Sequence, residues 1–151
     1  MIKDIDNEKD AKASDELLKL LRNSDYVYND RIDLSKDIKP SFADNLKNKD
    51  NELLLGYFVK DKLVGFAYTT YLKQTQIAFI YYLYVLEEYR NHGIASALLQ
   101  EIVTRCQKQK IKDLSINTYA NNKPAHHLYN KLGFNDFEIT LVKKYKRRFA
   151  S

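Results

Sequence analysis

The sequence predicts a mixed α+β fold built on one continuous sheet. Three observations carry that expectation. The stretch "NELLLGYFVKDKLVGFAYTTYLKQTQIAFIYYLYVL", from Asn51 to Leu86, is rich in aromatic and β-branched residues and is punctuated at "KDK" and "KQTQ". That is the pattern of three antiparallel strands joined by tight turns. The third strand, Ile77 to Leu86, is apolar at both alternating sets of positions: Phe79, Tyr81, Leu83 and Val85 on one side, Ile80, Tyr82, Tyr84 and Leu86 on the other. A strand apolar on both faces belongs in the middle of a sheet, covered on each side. Directly afterwards the apolar period changes. Ala95, Leu98, Leu99, Ile102, Val103 and Cys106 recur at three and four, which predicts a helix of about four turns.

The remaining elements follow in chain order. "MIKDID" reads as a short first strand anchored by Ile2 and Ile5. In "EKDAKASDELLKLL", Ala13, Leu17, Leu20 and Leu21 stand at helical spacing, so an amphipathic helix is expected. "RNSDYVYNDRIDLSKDIKPSF" is polar and broken by Pro40, and reads as loop plus a short helix. A second short helix is expected through "FADNLKNK". "DLSINTYA" returns to strand alternation. "NKPAHHLYNKL" is a short helix with Asn122 as its cap and Pro124 in its first turn. Gly133 follows as a stop. "FEITLVKKY" closes the chain as a further strand.

A chain of 151 residues with 44% hydrophobic and 30% charged residues suits a single folded domain over 1–151. The longest apolar run is about ten residues, too short to span a bilayer. No charged segment followed by an apolar one opens the chain, so no secretory signal is expected. Cys106 is the only cysteine, which excludes an internal disulfide and makes a cytoplasmic location the default. Net charge is +5, and residues 101–151 carry 11 Lys or Arg against 4 Asp or Glu. Such a half is either a solvated basic surface or the holder of an anionic ligand. The run "KKYKRR" admits nucleic acid, but its interleaved aromatics equally suit a last strand with an exposed face.

Two motifs carry chemistry. In "EYRNHGIASALLQEI", Gly93 separates Arg90 from the helix that follows. The first N–H groups of a helix lack intrahelical partners and carry partial positive charge. A glycine there lets the backbone approach a bulky anion, Ala95 keeps the next position small and Arg90 adds a full charge. It is neither a Walker loop nor G-x-G-x-x-G, and alone it also reads as a plain strand-to-helix turn. The second motif is "NKPAHHLYNKLGF", Asn122 to Phe134. Together, "LYVLEEYRNHGIASALL" and this later segment resemble the GNAT superfamily of acetyl-CoA-dependent N-acetyltransferases. Their pattern is R/Q-x-x-G-x-G/A on the strand-to-helix turn, then N-x-x-A-x-x-L/F-Y-x-x-x-G-F. The resemblance spans Leu53 to Leu141, including a preceding hairpin with Gly65.

That resemblance implies a mixed, mostly antiparallel central sheet of about six to seven strands, with helices on both faces and a splay between the fourth and fifth strands. It also implies an acetyl-CoA site. The pantetheine arm would lie beside the central strand at Leu83, Tyr84 and Val85. The diphosphate would rest on amides of Asn91, His92, Gly93, Ile94, Ala95 and Ser96, near Arg90. Asn122 would hold the cofactor by its side chain, and Tyr129 would face the sulfur. The acceptor would be a primary amine of a small molecule or peptide, and a homodimer is compatible with the family.

The chemistry sets further requirements. An alkyl amine with a pKa near 10.4 is unprotonated in about one molecule per thousand at neutral pH, so a proton must be accepted directly or through water. The Val85 N–H is the expected donor to the thioester carbonyl. Tyr129 is the expected donor to the departing sulfur; its bland alternative is an aromatic packing helix onto sheet. Many family members carry a glutamate where Tyr81 stands here, so Tyr81 either orders a water chain or lines the acceptor pocket. That substitution motivates the alternative of a non-catalytic regulator that binds CoA thioesters. His126 and His127 diverge by about 100° on a helix, so no metal is expected. Cys106, on an apolar helix face, is expected in the core.

Overall fold

A computed structural model describes residues 1–29, 31–32, 41–46 and 50–145. The elements run β1 (Ile2–Asp4), α1 (Glu8–Asp25), β2 (Glu52–Val59), β3 (Lys62–Leu72), β4 (Ile77–Val85), α2 (Ile94–Lys108), β5 (Asp113–Ile116) and α3 (Lys123–Lys131), with single 3₁₀ turns at Ala43–Asn45 and Glu87–Tyr89. The sheet has five strands in the order β1-β2-β3-β4-β5. The first four are antiparallel neighbours; β4 and β5 run parallel, as a strand–helix–strand crossover through α2 requires.

The hairpins form as the composition predicts. Lys60 and Asp61, both at positive φ, make the two-residue turn between β2 and β3, whose hand matches the strand twist. The sheet carries two cores. On one face Leu55, Val64, Ala67 and Ile80 pack with Ile94, Leu98, Leu99, Ile102 and Cys106 of α2. On the other, Phe58, Leu63 and Phe66 pack with Ala11, Leu17 and Leu18 of α1. Burial pushes the Cys106 thiol up to about 11, which makes it an inert core residue.

Four expectations need correction. First, "FEITLVKKY" forms no strand: residues 135–145 join no ladder and are exposed, so the described chain has five strands rather than six to seven. Alternating apolar residues favour a strand only where an edge is there to receive it. Second, α1 buries Ala11, Ser14, Leu17 and Leu18, while Leu20 is exposed. The face is turned by one position because Ser14 satisfies its hydroxyl on the Asp10 carbonyl at 2.9 Å and so tolerates burial. The helix also runs on to Asp25, through residues read as loop. Third, the helix expected in "FADNLKNK" is one 3₁₀ turn, with residues 47–49 outside the described chain; most of the expected loop before it, residue 30 and residues 33–40, lies outside as well.

The fourth correction bears on function. Strict alternation along β4 fails at Tyr81. Tyr68 of β3 faces Tyr82, and the next residue, Thr69, faces Ile80. Tyr81 is therefore the extra residue of a β-bulge. Ala78 and Ile80 before it pack on the α2 side, and so do Leu83 and Val85 after it, whereas Tyr82 and Tyr84 face α1.

The 3₁₀ turn at Ala43 is latched by one side chain. The Asp15 carboxylate accepts from the Phe42 N–H at 2.8 Å and the Ala43 N–H at 3.3 Å. This fixes the Phe42 ring against Phe66, Tyr68 and Tyr82. Asp15→Ala is expected to cost about 1–3 kcal/mol by leaving those donors unpaired, read from the urea midpoint at unchanged slope.

Candidate active site

The candidate site lies along β4 beyond the end of its pairing with β5. β5 pairs only with Ile77–Ile80 and ends at Ile116. Beyond the bulge, Leu83 and Val85 have no strand beside them on that edge among the described residues. Their orientation follows from the ladder. The Leu86 N–H donates to the Val64 carbonyl at 2.8 Å, so Leu86 and Tyr84 turn their main-chain groups toward β3. In an antiparallel pair the residues between turn theirs away. The N–H groups of Leu83 and Val85 thus point at the open edge. The Val85 carbonyl is taken by Arg90, whose Nε donates to it at 2.9 Å. Tyr84 offers no main-chain group to this edge; its ring lies 5.4 Å beneath the Arg90 guanidinium.

The turn after β4 brings the predicted anion-binding residues together. Asn91 and Gly93 are both left-handed, at φ 64 and 77. His92 between them is exposed and turns Nδ1 toward the Tyr89 carbonyl at 3.2 Å. Gly93 is the N-cap of α2 with no side-chain cap, and a Cβ built on it meets nothing within 4 Å. The N–H groups of Ile94, Ala95 and Ser96 in the first helical turn have no intrahelical partner. The buried Ile94 ties this turn to the sheet beside Gly65. A methyl at Gly65 would meet the Tyr84 carbonyl oxygen at 3.1 Å and Ile94 at 3.4 Å, so glycine lets α2 approach closely.

α3 packs in part on the same core as α2, through Leu128, Tyr129 and Leu132. Asn122 caps it, accepting the Ala125 N–H on Oδ1 at 3.3 Å. Its Nδ2 makes no bond among the described residues. The helix ends in a double closure: the Gly133 N–H donates to the Asn130 carbonyl, and the Phe134 N–H to the Tyr129 carbonyl at 2.9 Å. The same closure packs Phe134 edge-on against Tyr129, with ring centroids 6.0 Å apart. The "YNKLGF" stop signal is thus also what fixes Tyr129. Burial pushes the Tyr129 hydroxyl up to about 12, and the nearby Asp25 carboxylate adds to the rise.

Asp25 was not singled out from the sequence. It ends α1, on the other face of the sheet, yet it influences Tyr129. The open edge of β4 explains how. The chain after α1 reaches over to the loop following β5, where Tyr28 stacks on Tyr119 at 6.5 Å and the Asn29 amide donates to the Tyr119 hydroxyl at 3.4 Å. Burial pushes the Asp25 carboxyl up to about 6. A carboxyl between helix end and open edge has no sequence signature beyond its place in a polar stretch. Tyr81 is 55% exposed and lies among Phe79, Tyr68 and Tyr82, with centroids 4.8–6.4 Å away. Burial raises the Tyr68 hydroxyl, and its hydrogen bond to Glu52 raises it further. No group of three or more His, Cys, Asp or Glu suited to a metal occurs among the described residues, and no described helix is long and apolar enough to cross a membrane.

The site thus holds a bulged central strand, a helix N-terminus without a side-chain cap after it, and the half-buried Tyr129 on α3. The profile of the acetyltransferase (GNAT) family matches residues 15–134, and the chain belongs to that family. The chain is 33% identical over 69 residues to the uncharacterized N-acetyltransferase YycN of Bacillus subtilis (strain 168), an alignment that covers 46% of this chain and 44% of that protein. Among solved structures, a point mutant of the BH1408 protein from Bacillus halodurans superposes with a TM-score of 0.82 at 16% identity, covering 97% of this chain and 99% of that one. The PaiA N-acetyltransferase of Thermoplasma acidophilum, in complex with coenzyme A, gives 0.77 at 19% identity, covering 93% and 92%.

Proposed function

We propose that this chain transfers the acetyl group of acetyl-CoA to a primary amine of a small molecule or peptide. The observation that supports it most is the open edge of β4, at which the Leu83 and Val85 N–H groups point, with Val85 packed beside Ile94 at the N-terminus of α2. In this reading β4 and β5 splay around the pantetheine arm, which pairs with that edge. The diphosphate lies on the amides of residues 91–96 beside Arg90, where orphan N–H groups and a fixed cation favour an anion. Asn122 offers its Nδ2 to the arm. The Val85 N–H polarises the thioester carbonyl as charge develops on its oxygen.

The acceptor arrives as a cation. Tyr68, Tyr81 and Tyr82 give it aromatic faces, and Asp25 gives it a carboxylate. With a pKa of about 6, Asp25 is ionised at neutral pH and pairs with the ammonium. The unprotonated fraction of the amine attacks the carbonyl carbon, Asp25 takes the proton that the nitrogen sheds as the carbon–nitrogen bond makes it acidic, and the carbon–sulfur bond breaks. Tyr129 holds the leaving sulfur by its O–H. A hydroxyl near 12 yields its proton outright to a thiolate only uphill by several kcal/mol, so its part is a hydrogen bond that disperses the developing charge. Tyr81 lines the acceptor pocket.

The test is release of free thiol from acetyl-CoA against polyamines, aminoglycosides, amino acids and peptide N-termini. Turnover on one of these classes is the expected result. Tight CoA binding with no turnover on any amine would establish the non-catalytic regulator instead. Tyr129→Phe is expected to lower kcat about 100-fold while leaving the KM for acetyl-CoA within about twofold, because the hydroxyl acts on the transition state rather than the bound cofactor.

A further inference from the structure

One residue joins the two halves of the site. Tyr119 stands in the loop after β5, half-buried, while Asn117 and Ala120 nearby are exposed. It makes three contacts. Its ring stacks on Tyr28, with centroids 6.5 Å apart and planes inclined by 17°. Its hydroxyl accepts from the Asn29 amide at 3.4 Å. Its main-chain carbonyl accepts from the Asn122 N–H at 2.9 Å. The first two contacts lead to α1 and the third to α3.

Each end leads to a group with chemistry. On the α1 side, the Tyr28 and Asn29 N–H groups both donate to the Asp25 carbonyl at 2.9 Å. The two residues that grip Tyr119 therefore also wrap the residue that carries the base. The Asn29 amide is aimed by its own oxygen, which accepts from the Arg31 N–H at 3.1 Å and from Arg31 Nε at 3.3 Å. That leaves Nδ2 for Tyr119. On the α3 side, Asn122 caps the helix that carries Tyr129. The turn at residues 26–29 lies past the end of α1, with Tyr26 and Val27 46% and 77% exposed. A turn so placed opens at little cost unless something holds it, and Tyr119 supplies the hold.

We propose that Tyr119 is a positioning residue that docks the end of α1, and with it Asp25, once the cofactor has fixed Asn122 and its loop, a role that rests on the acetyl-transfer reading of the site. One turn with two arrangements, docked on Tyr119 or frayed from it, is the element that the cofactor biases. A cofactor held by Asn122 orders the loop from 117 to 122, Tyr119 included, and so favours the docked turn. The acceptor then meets Asp25 already in place, and the base is not set before the thioester has arrived. Linkage makes the effect mutual: the docked turn strengthens CoA binding by the factor by which CoA favours docking.

Hydrogen exchange on the whole chain, with and without saturating CoA, tests this. In the wild type, CoA is expected to slow exchange at residues 91–96 and, by at least about fivefold, at residues 26–29. Tyr119→Ala is expected to keep the first effect and lose the second, with CoA affinity reduced by no more than the same factor. Tyr28→Ala removes the stack from the other partner, in a segment outside every helix and strand, and is expected to behave alike. Slowing at 91–96 with none at 26–29 in the wild type would overturn the role of Tyr119 and leave the cofactor site standing. So would slowing at 26–29 that survives in both variants, since CoA would then reach that turn without Tyr119. No slowing at either place would remove the cofactor reading and this role together.

Discussion

Gly93→Glu is expected to weaken CoA binding at least about 100-fold while leaving the fold intact. A Cβ on Gly93 meets nothing within 4 Å, so the substitution adds no clash. Its cost to folding is the left-handed φ of 77, about 1–2 kcal/mol for a residue with a side chain. Its cost to binding is larger. A carboxylate about 4 Å from a phosphate repels it by roughly 4 kcal/mol at the effective dielectric of a protein surface, and each 1.4 kcal/mol is tenfold in affinity. Gly93→Asn separates the two effects. Asparagine tolerates the left-handed region and adds no charge, so its loss should stay below about tenfold. Calorimetric titration with CoA measures both. Wild-type affinity in the glutamate variant would mean that the amides of residues 91–96 do not grip the diphosphate.

Asp25→Asn is expected to act in opposite directions on activity and stability. If Asp25 takes the amine proton, its loss lowers kcat/KM by about 100- to 1,000-fold at pH 7. The acidic limb of the pH–rate profile, centred near 6 in the wild type, disappears. Stability moves the other way. Burial raises this carboxyl from 3.8 to about 6, so between those values the folded chain holds a proton that the unfolded chain has released. Wild-type stability therefore falls as pH rises through that window and stays lower above it. Asparagine never ionises. The variant's Tm should exceed that of the wild type at pH 7–8 and match it near pH 4. Full activity across the profile would remove Asp25 from the reaction; a loss of Tm at pH 8 would show that the carboxylate is compensated rather than stranded.

What could be read in advance divides along physical lines. The three hairpin strands, α2 and α3 announce themselves because each has a period and a punctuation mark: "KDK" and "KQTQ" for the turns, Gly93 before α2, Asn122 and Gly133 around α3. The bulge at Tyr81 leaves no such mark. Residues 77–86 are apolar on both faces, so a slip of one position exchanges one apolar row for another and changes no contrast in the sequence. The end of α1 is hidden for the opposite reason. Arg22, Asn23, Ser24 and Asp25 have no apolar member, and tertiary contact rather than propensity carries the helix that far. The final segment misled: residues 135–145 have a strand's alternation but join no ladder, because a pattern of apolar residues does not by itself supply an edge to pair with.

One consequence of the bulge concerns how this strand can vary. Pleating has a period of two, so removing a single residue between Ile80 and Tyr82 would turn Leu83 and Val85 over to the wrong side. Position 81 is therefore fixed in number but free in kind: the backbone needs something there, and the core asks nothing of its side chain. Such a slot can take another side chain, and so another surface toward whatever lies there, without reopening the question of how the chain folds.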